Sequence, residues 1–112
     1  MTVRRDDRGS VTAEFAVVVP AALLVVLLAV ATLLAAGTQI RLEHGAAQAA
    51  RLVARGEDDA RARSAVTAAV TGAGLDIRRD GDLVCAVTTV ASGVPLPLPP
   101  LRAESCALAG GL

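Results

Sequence analysis

The sequence predicts an α+β protein. A long N-terminal transmembrane helix continues into an exported helix, followed by a second short helix and a small antiparallel β-sheet of two or three strands. Three observations carry that prediction. Twenty-six residues without a charge separate Glu14 from Arg41. Apolar residues then recur at three- and four-residue steps as far as Val70. Beyond Leu75 the period shortens to two and β-branched residues gather, as strands require.

The apolar run, Phe15 to Gly37, is interrupted only by Pro20 and Thr32. A helix rises ~1.5 Å per residue, so about 20 apolar residues cross a ~30 Å hydrocarbon layer. The 72 residues from Arg41 onward are too few to wrap a helix that is apolar on every side. A cleavable secretory signal competes with this reading: Arg4, Arg5 and Arg8 would be its basic start, and Ala35-Ala36-Gly37 its small-residue site. The run exceeds the about 7–15 apolar residues of such signals, and Glu14 is misplaced for one. The short N-terminal tail favours a cytoplasmic N-terminus with the larger C-terminal part exported. Pro20 has no N–H, which deprives the Ala16 carbonyl of its helical partner and predicts a kink.

Residues 38–55 read as the same helix leaving the membrane, with Ile40, Ala47, Ala50 and Val53 or Ala54 on its apolar stripe. Gly45 weakens its middle, and His44 reads as a solvated residue near the membrane surface. Gly56 ends it. Glu57, Asp58 and Asp59 put acids where a helix of about 58–70 would begin, favourably against its dipole. Ala62, Ala65, Val66, Ala69 and Val70 form its apolar stripe, and Arg61 and Arg63 its solvated face. Gly72-Ala73-Gly74 stops it.

Strands follow at about 75–79, 83–91 and 101–108, with a turn at Asp80-Gly81-Asp82. Pro95, Pro97, Pro99 and Pro100 make a stiff, extended connector that cannot donate to a central ladder. Gly110-Gly111 reads as a frayed end. Cys85 falls in the middle strand and Cys106 in the last. If those strands pair antiparallel in an oxidising compartment, a disulfide closing the loop stabilises by about 3 kcal/mol. The alternative is two unpaired, buried thiols. Residues 41–112 contain no aromatic side chain, so their core is thin and calls for staples or neighbours.

Composition narrows the function. The 112 residues carry eleven arginines, no lysine and eleven acids, a balance without the electrostatic footprint of nucleic-acid binding. Alanine fills 24 positions and Phe15 is the one aromatic residue, leaving no stacking platform for bases or sugars. One His and two Cys are too few for a multi-ligand zinc site. No set of nucleophile, base and orienting group is recognisable. The expectation is a protein without enzymatic activity, cofactor, metal or small-molecule substrate.

A motif precedes the apolar run. Gly9 is followed by Ser10, three further residues, then Glu14 and Phe15, with Ala16 and Pro20 beyond. Read from the residues, Glu14 complements the dipole at a helix start. The pattern also resembles the processing motif of Flp-class (tight-adherence) type IV pilins, and EFAVVVPAALLVVLL resembles the N-terminus of TadE-like pilus assembly proteins. The resemblance implies that a prepilin peptidase cuts between Gly9 and Ser10, and that Glu14 pairs with a neighbour's new N-terminus in an assembly. It implies residues 1–9 as a cytoplasmic leader, 10–37 as the transmembrane helix and 38–112 as a small extracytoplasmic domain. It further implies a single-pass protein of the cytoplasmic membrane whose partners are the peptidase and other pilin or pseudopilin subunits. Such a protein is a minor pilin or pseudopilin of a Flp-type pilus or a related secretion apparatus. The competing function is a signal-anchored extracytoplasmic binding module on a passive membrane helix, for which the Gly9/Glu14 pair would have no use.

Overall fold

The computed structural model describes residues 2–93 and 96–110, with side chains from Gly9 onward. The side chains of Arg4, Arg5 and Arg8, and all of Pro95 and Gly111, lie outside the described residues. The fold is α+β: helix α1 (Thr2–Ala54), helix α2 (Asp59–Ala69), and strands β1 (Gly74–Asp80), β2 (Leu83–Val90) and β3 (Leu101–Leu108). The chain divides into two compact units, Met1–Leu33 and Leu34–Leu112.

The first unit is helix alone. Its large apolar side chains, among them Phe15, Leu23, Leu24, Leu27 and Leu28, are exposed. The helix from Gly9 is long and apolar enough to cross a membrane, with a mean hydropathy of 2.9 over its most apolar 18 residues, none of that window buried. It stays helical through Pro20. Thr32, the polar interruption of the run, donates its hydroxyl to the Leu28 carbonyl at 2.7 Å, which satisfies it within the helix.

In the second unit, Gly56 ends the turn after α1 at φ 91°, a conformation glycine adopts without steric cost. The Asp58 carboxylate accepts from the Arg61 N–H at 3.0 Å and caps α2. The sheet is antiparallel in the order β1-β2-β3. Asp80 pairs with Leu83 across a turn in which Gly81 has φ 58°. Val90 pairs with Leu101 across the proline-containing connector. One face of the sheet contributes Val84, Ala86 and Ala103 to a core completed by Leu42, Ala46, Ala49, Ala50 and Val53 of α1 and Ala62 and Val66 of α2. Alternation turns Cys85, Val87 and Thr89 to the other face. Thr88 is fully buried, and its hydroxyl lies 3.2 Å from the Leu42 carbonyl and 3.3 Å from that of Ala103, joining α1, β2 and β3.

Two readings of the sequence are corrected here, and Gly45 gains a second role. The buried residues of α1 are Leu42, Gly45, Ala46, Ala49, Ala50, Val53 and Ala54, whereas Ile40 is exposed and Ala47 only half-buried. Alanine is common on both faces of this helix, so its apolar period marks the wrong rotation. Gly45 is a packing position: a Cβ built there would lie 3.4 Å from Ala69 Cβ and 3.6 Å from Val66 Cα of α2. Gly110 is tied down, its N–H donating to the Ala54 carbonyl at 2.9 Å, where the last turn of α1 leaves an acceptor free.

Candidate functional site

The residues of the Gly9–Phe15 motif all fall on α1, and helix geometry decides which of them share a face. Ser10, Ala13, Glu14, Val17 and Val18 line one shallow hollow on the helix surface. Their three- and four-residue steps place them side by side over two turns. Glu14 is exposed, one turn beyond Ser10. Gly9 is open on its outer side, with nothing within 4 Å of where a Cβ would stand. Phe15 is a large apolar side chain, 64% exposed. Pro20 follows within the same unbroken helix, and the Ala16 carbonyl therefore receives no N–H from it. The arrangement offers one carboxylate at the head of a wholly apolar surface. A carboxylate so placed attracts a cationic partner, and does so more strongly the less water surrounds it.

The second pair of residues singled out by sequence is in the other unit. Cys85 and Cys106 face each other in the β2–β3 register and form a disulfide, with their Cα atoms 4.0 Å apart. The pair lies on the sheet face turned away from the core. Glu104 stands close enough that one of its oxygens and the two sulfurs lie within 4.8 Å of one another. The sulfurs are bonded to each other, which leaves a single carboxylate for any cation. His44 is exposed and makes no hydrogen bond or ion pair among the described residues. The sheet's outer surface also carries Arg78 with Asp76 at 3.7 Å and Arg102 with Glu104 at 3.6 Å, exposed pairs on single strands.

Among the described residues one exposed helix has membrane-spanning length, headed by a glycine and a carboxylate and followed by a small disulfide-bonded domain, an arrangement consistent with the class of proteins anchored by one N-terminal helix. Comparison with protein families narrows it. The family described as TadE-like protein matches residues 9–51. Over that stretch the chain is similar to TadE-like proteins, in keeping with the resemblance of its motif. The match begins at Gly9 and stops within the last turn of α1, leaving α2 and the sheet outside it. No curated protein and no solved structure matches the chain.

Proposed function

We propose that this chain is a TadE-like minor pilin or pseudopilin, a structural or assembly component of a Flp-type pilus or related secretion apparatus, processed by a prepilin peptidase after Gly9. One observation carries the reading: Gly9, Ser10 and Glu14 stand in motif order at the head of an exposed, membrane-length helix, and the TadE-like match starts at that glycine. Hydrolysis of the Gly9–Ser10 peptide bond leaves a carboxylate on Gly9 and an α-amine on Ser10. Such an amine has an unperturbed pKa of about 8 and is mostly an ammonium at neutral pH. It lies one helical turn from Glu14, so that its own carboxylate or a neighbouring subunit's can neutralise it within lipid. Gly9 is helical, and the peptidase must unwind it. Glycine is the residue whose helix is cheapest to undo apart from proline, and it brings no side chain to a narrow site.

In this reading the protein catalyses nothing. Its N-terminus is cytoplasmic, α1 crosses the cytoplasmic membrane once, and the disulfide-bonded unit is extracytoplasmic. The test is to express the full chain with and without its cognate prepilin peptidase and sequence the N-terminus of the membrane-bound product. A start at Ser10 that requires both the peptidase and Gly9 is the expected result. Retention of Gly9 in both cases would overturn processing and favour the passive anchor, and a start beyond residue 36 would identify a secretory signal.

A further inference from the structure

The face of α1 opposite the core carries a regular pattern that the processing motif does not explain. Arg41, His44, Gln48, Arg51 and Arg55 follow one another at steps of three, four, three and four residues, and all five are exposed. That spacing keeps them on one face, as lengthwise packing against another helix would require. The Arg55 N–H donates to the Arg51 carbonyl at 3.1 Å, so the turn continues through the last member. Between Arg41 and Arg55 the stripe extends ~21 Å along the helix.

The pairing of charges in this unit is uneven. Arg61, Arg78, Arg79 and Arg102 each meet a carboxylate within 4 Å. Arg41, Arg51, Arg55 and Arg63 have no such partner among the described residues, and three of these four are on this one face. The acids nearest in sequence are engaged elsewhere: Glu43 accepts from Gln39, Glu57 pairs with Arg61, and Asp58 caps α2. The helix turns its other side inward through Leu42, Ala46, Ala49 and Val53, so packing within the unit leaves the basic side uncovered.

We propose that this stripe docks an acidic helix of a different protein, one that presents carboxylates at alternating three- and four-residue steps. A second copy of this chain does not supply that pattern. Of its helical acids outside the leader, Glu14 is isolated, Glu43 stands alone on its turn, and Asp59 pairs with Arg79 at 3.1 Å. A membrane surface fits less well. It has no repeat of its own to match steps of three and four residues, whereas a facing helix does. Arginine suits the docking role because its planar fork binds a carboxylate through two parallel hydrogen bonds.

The test uses the full chain in nanodiscs of neutral phosphatidylcholine and a fluorescent four-heptad peptide with Glu at the 3–4 steps. A peptide of the same composition in scrambled order is the control, and binding is read by anisotropy. The patterned peptide is expected to bind at least tenfold tighter than the scrambled one. Reversing two charges in R51E/R55E should weaken it about tenfold, two exposed pairs being lost and two repulsions gained. A peptide with Lys at the facing positions should restore binding to that variant. Both substituted side chains are exposed and unpaired, and formation of the Cys85–Cys106 disulfide reports that the variant has folded. Equal binding of patterned and scrambled peptides, or an unchanged affinity in R51E/R55E, overturns the proposal. So does protection of Arg51 and Arg55 from an arginine-modifying dicarbonyl only in nanodiscs containing phosphatidylglycerol, with no peptide binding in neutral ones, which would assign the stripe to the membrane. None of these readouts depends on cleavage at Gly9.

Discussion

Gly45 offers the sharpest test of how α1 and α2 pack. A methyl group at this position would stand 3.4 Å from Ala69 Cβ and 3.6 Å from Val66 Cα, at the near limit of ordinary contact. Ala in place of Gly inside a helix is favourable by about 0.8–1 kcal/mol. Gly45→Ala is therefore expected to stabilise the second unit by up to about 1 kcal/mol, less whatever the tight contact removes. Gly45→Leu adds three further carbons against the α2 backbone. Overpacking of that kind costs about 1–3 kcal/mol; against the propensity gain, and with the tight backbone contact placing it in the upper half of that range, the net loss is about 1–2 kcal/mol. Ala69→Gly removes the side-chain half of the contact, so it should recover part of the leucine penalty with a coupling of at least about 0.5 kcal/mol. The assay is urea-dependent proteolysis of the full chain in neutral detergent micelles, following cleavage within residues 34–112. A Gly45→Leu protein as resistant as the parent, or an Ala69→Gly effect that is the same in both backgrounds, would refute the packing argument.

Two further predictions concern polar and covalent ties. Thr88→Val replaces a buried hydroxyl by a methyl of similar size, and loss of its bonds to the Leu42 and Ala103 carbonyls should cost about 1 kcal/mol in the same assay; no measurable loss would mean those contacts contribute nothing. Replacing Cys85 and Cys106 together by Ser should cost about 3 kcal/mol for a sequence separation of 21, and dithiothreitol should destabilise the parent equally while leaving the double variant unchanged. Helical circular dichroism should survive in both cases, because the bond lies on the sheet face away from the helices.

Much of this architecture was legible from pattern. The uncharged run, the change of period after Leu75, the glycines that stop each element and the cysteines in facing strands all report local chemistry, and all find their counterpart in the fold. The rotation of α1 beyond the apolar run was less legible. Ala36, Ala46, Ala47, Ala49, Ala50 and Ala54 place small apolar groups on several sides of the helix, so alanine carries little phase information. The polar stripe of Arg41, His44, Gln48, Arg51 and Arg55 held the better signal, since charged side chains mark the solvated face more firmly than alanine marks the buried one. The packing role of Gly45 was hidden for a related reason. Helix propensity counts glycine as a weakness, and the close approach of α2 that calls for it involves residues over twenty positions away. The bond from Gly110 to Ala54 was invisible because it joins two backbone groups whose meeting is fixed only by the finished fold. At the candidate site the placement is purely local: Gly9, Ser10 and Glu14 lie on one helix and require no tertiary contact.

The buried residues of the second unit have a consequence for how such a sequence can drift. Eight of its fourteen buried hydrophobic residues are alanine, and Leu42 is the largest of the fully buried apolar side chains. A core built this way has almost nothing to trim. Truncation, the commonest route by which natural variation loosens a protein, is open at Leu42 and a few valines and closed nearly everywhere else. Variation at the remaining sites can only add atoms, and each addition presses on a neighbouring backbone rather than on a yielding side chain. Divergence in this domain should therefore collect on its outer faces and connectors, while the small-residue positions that set the spacing of helices and sheet stay small.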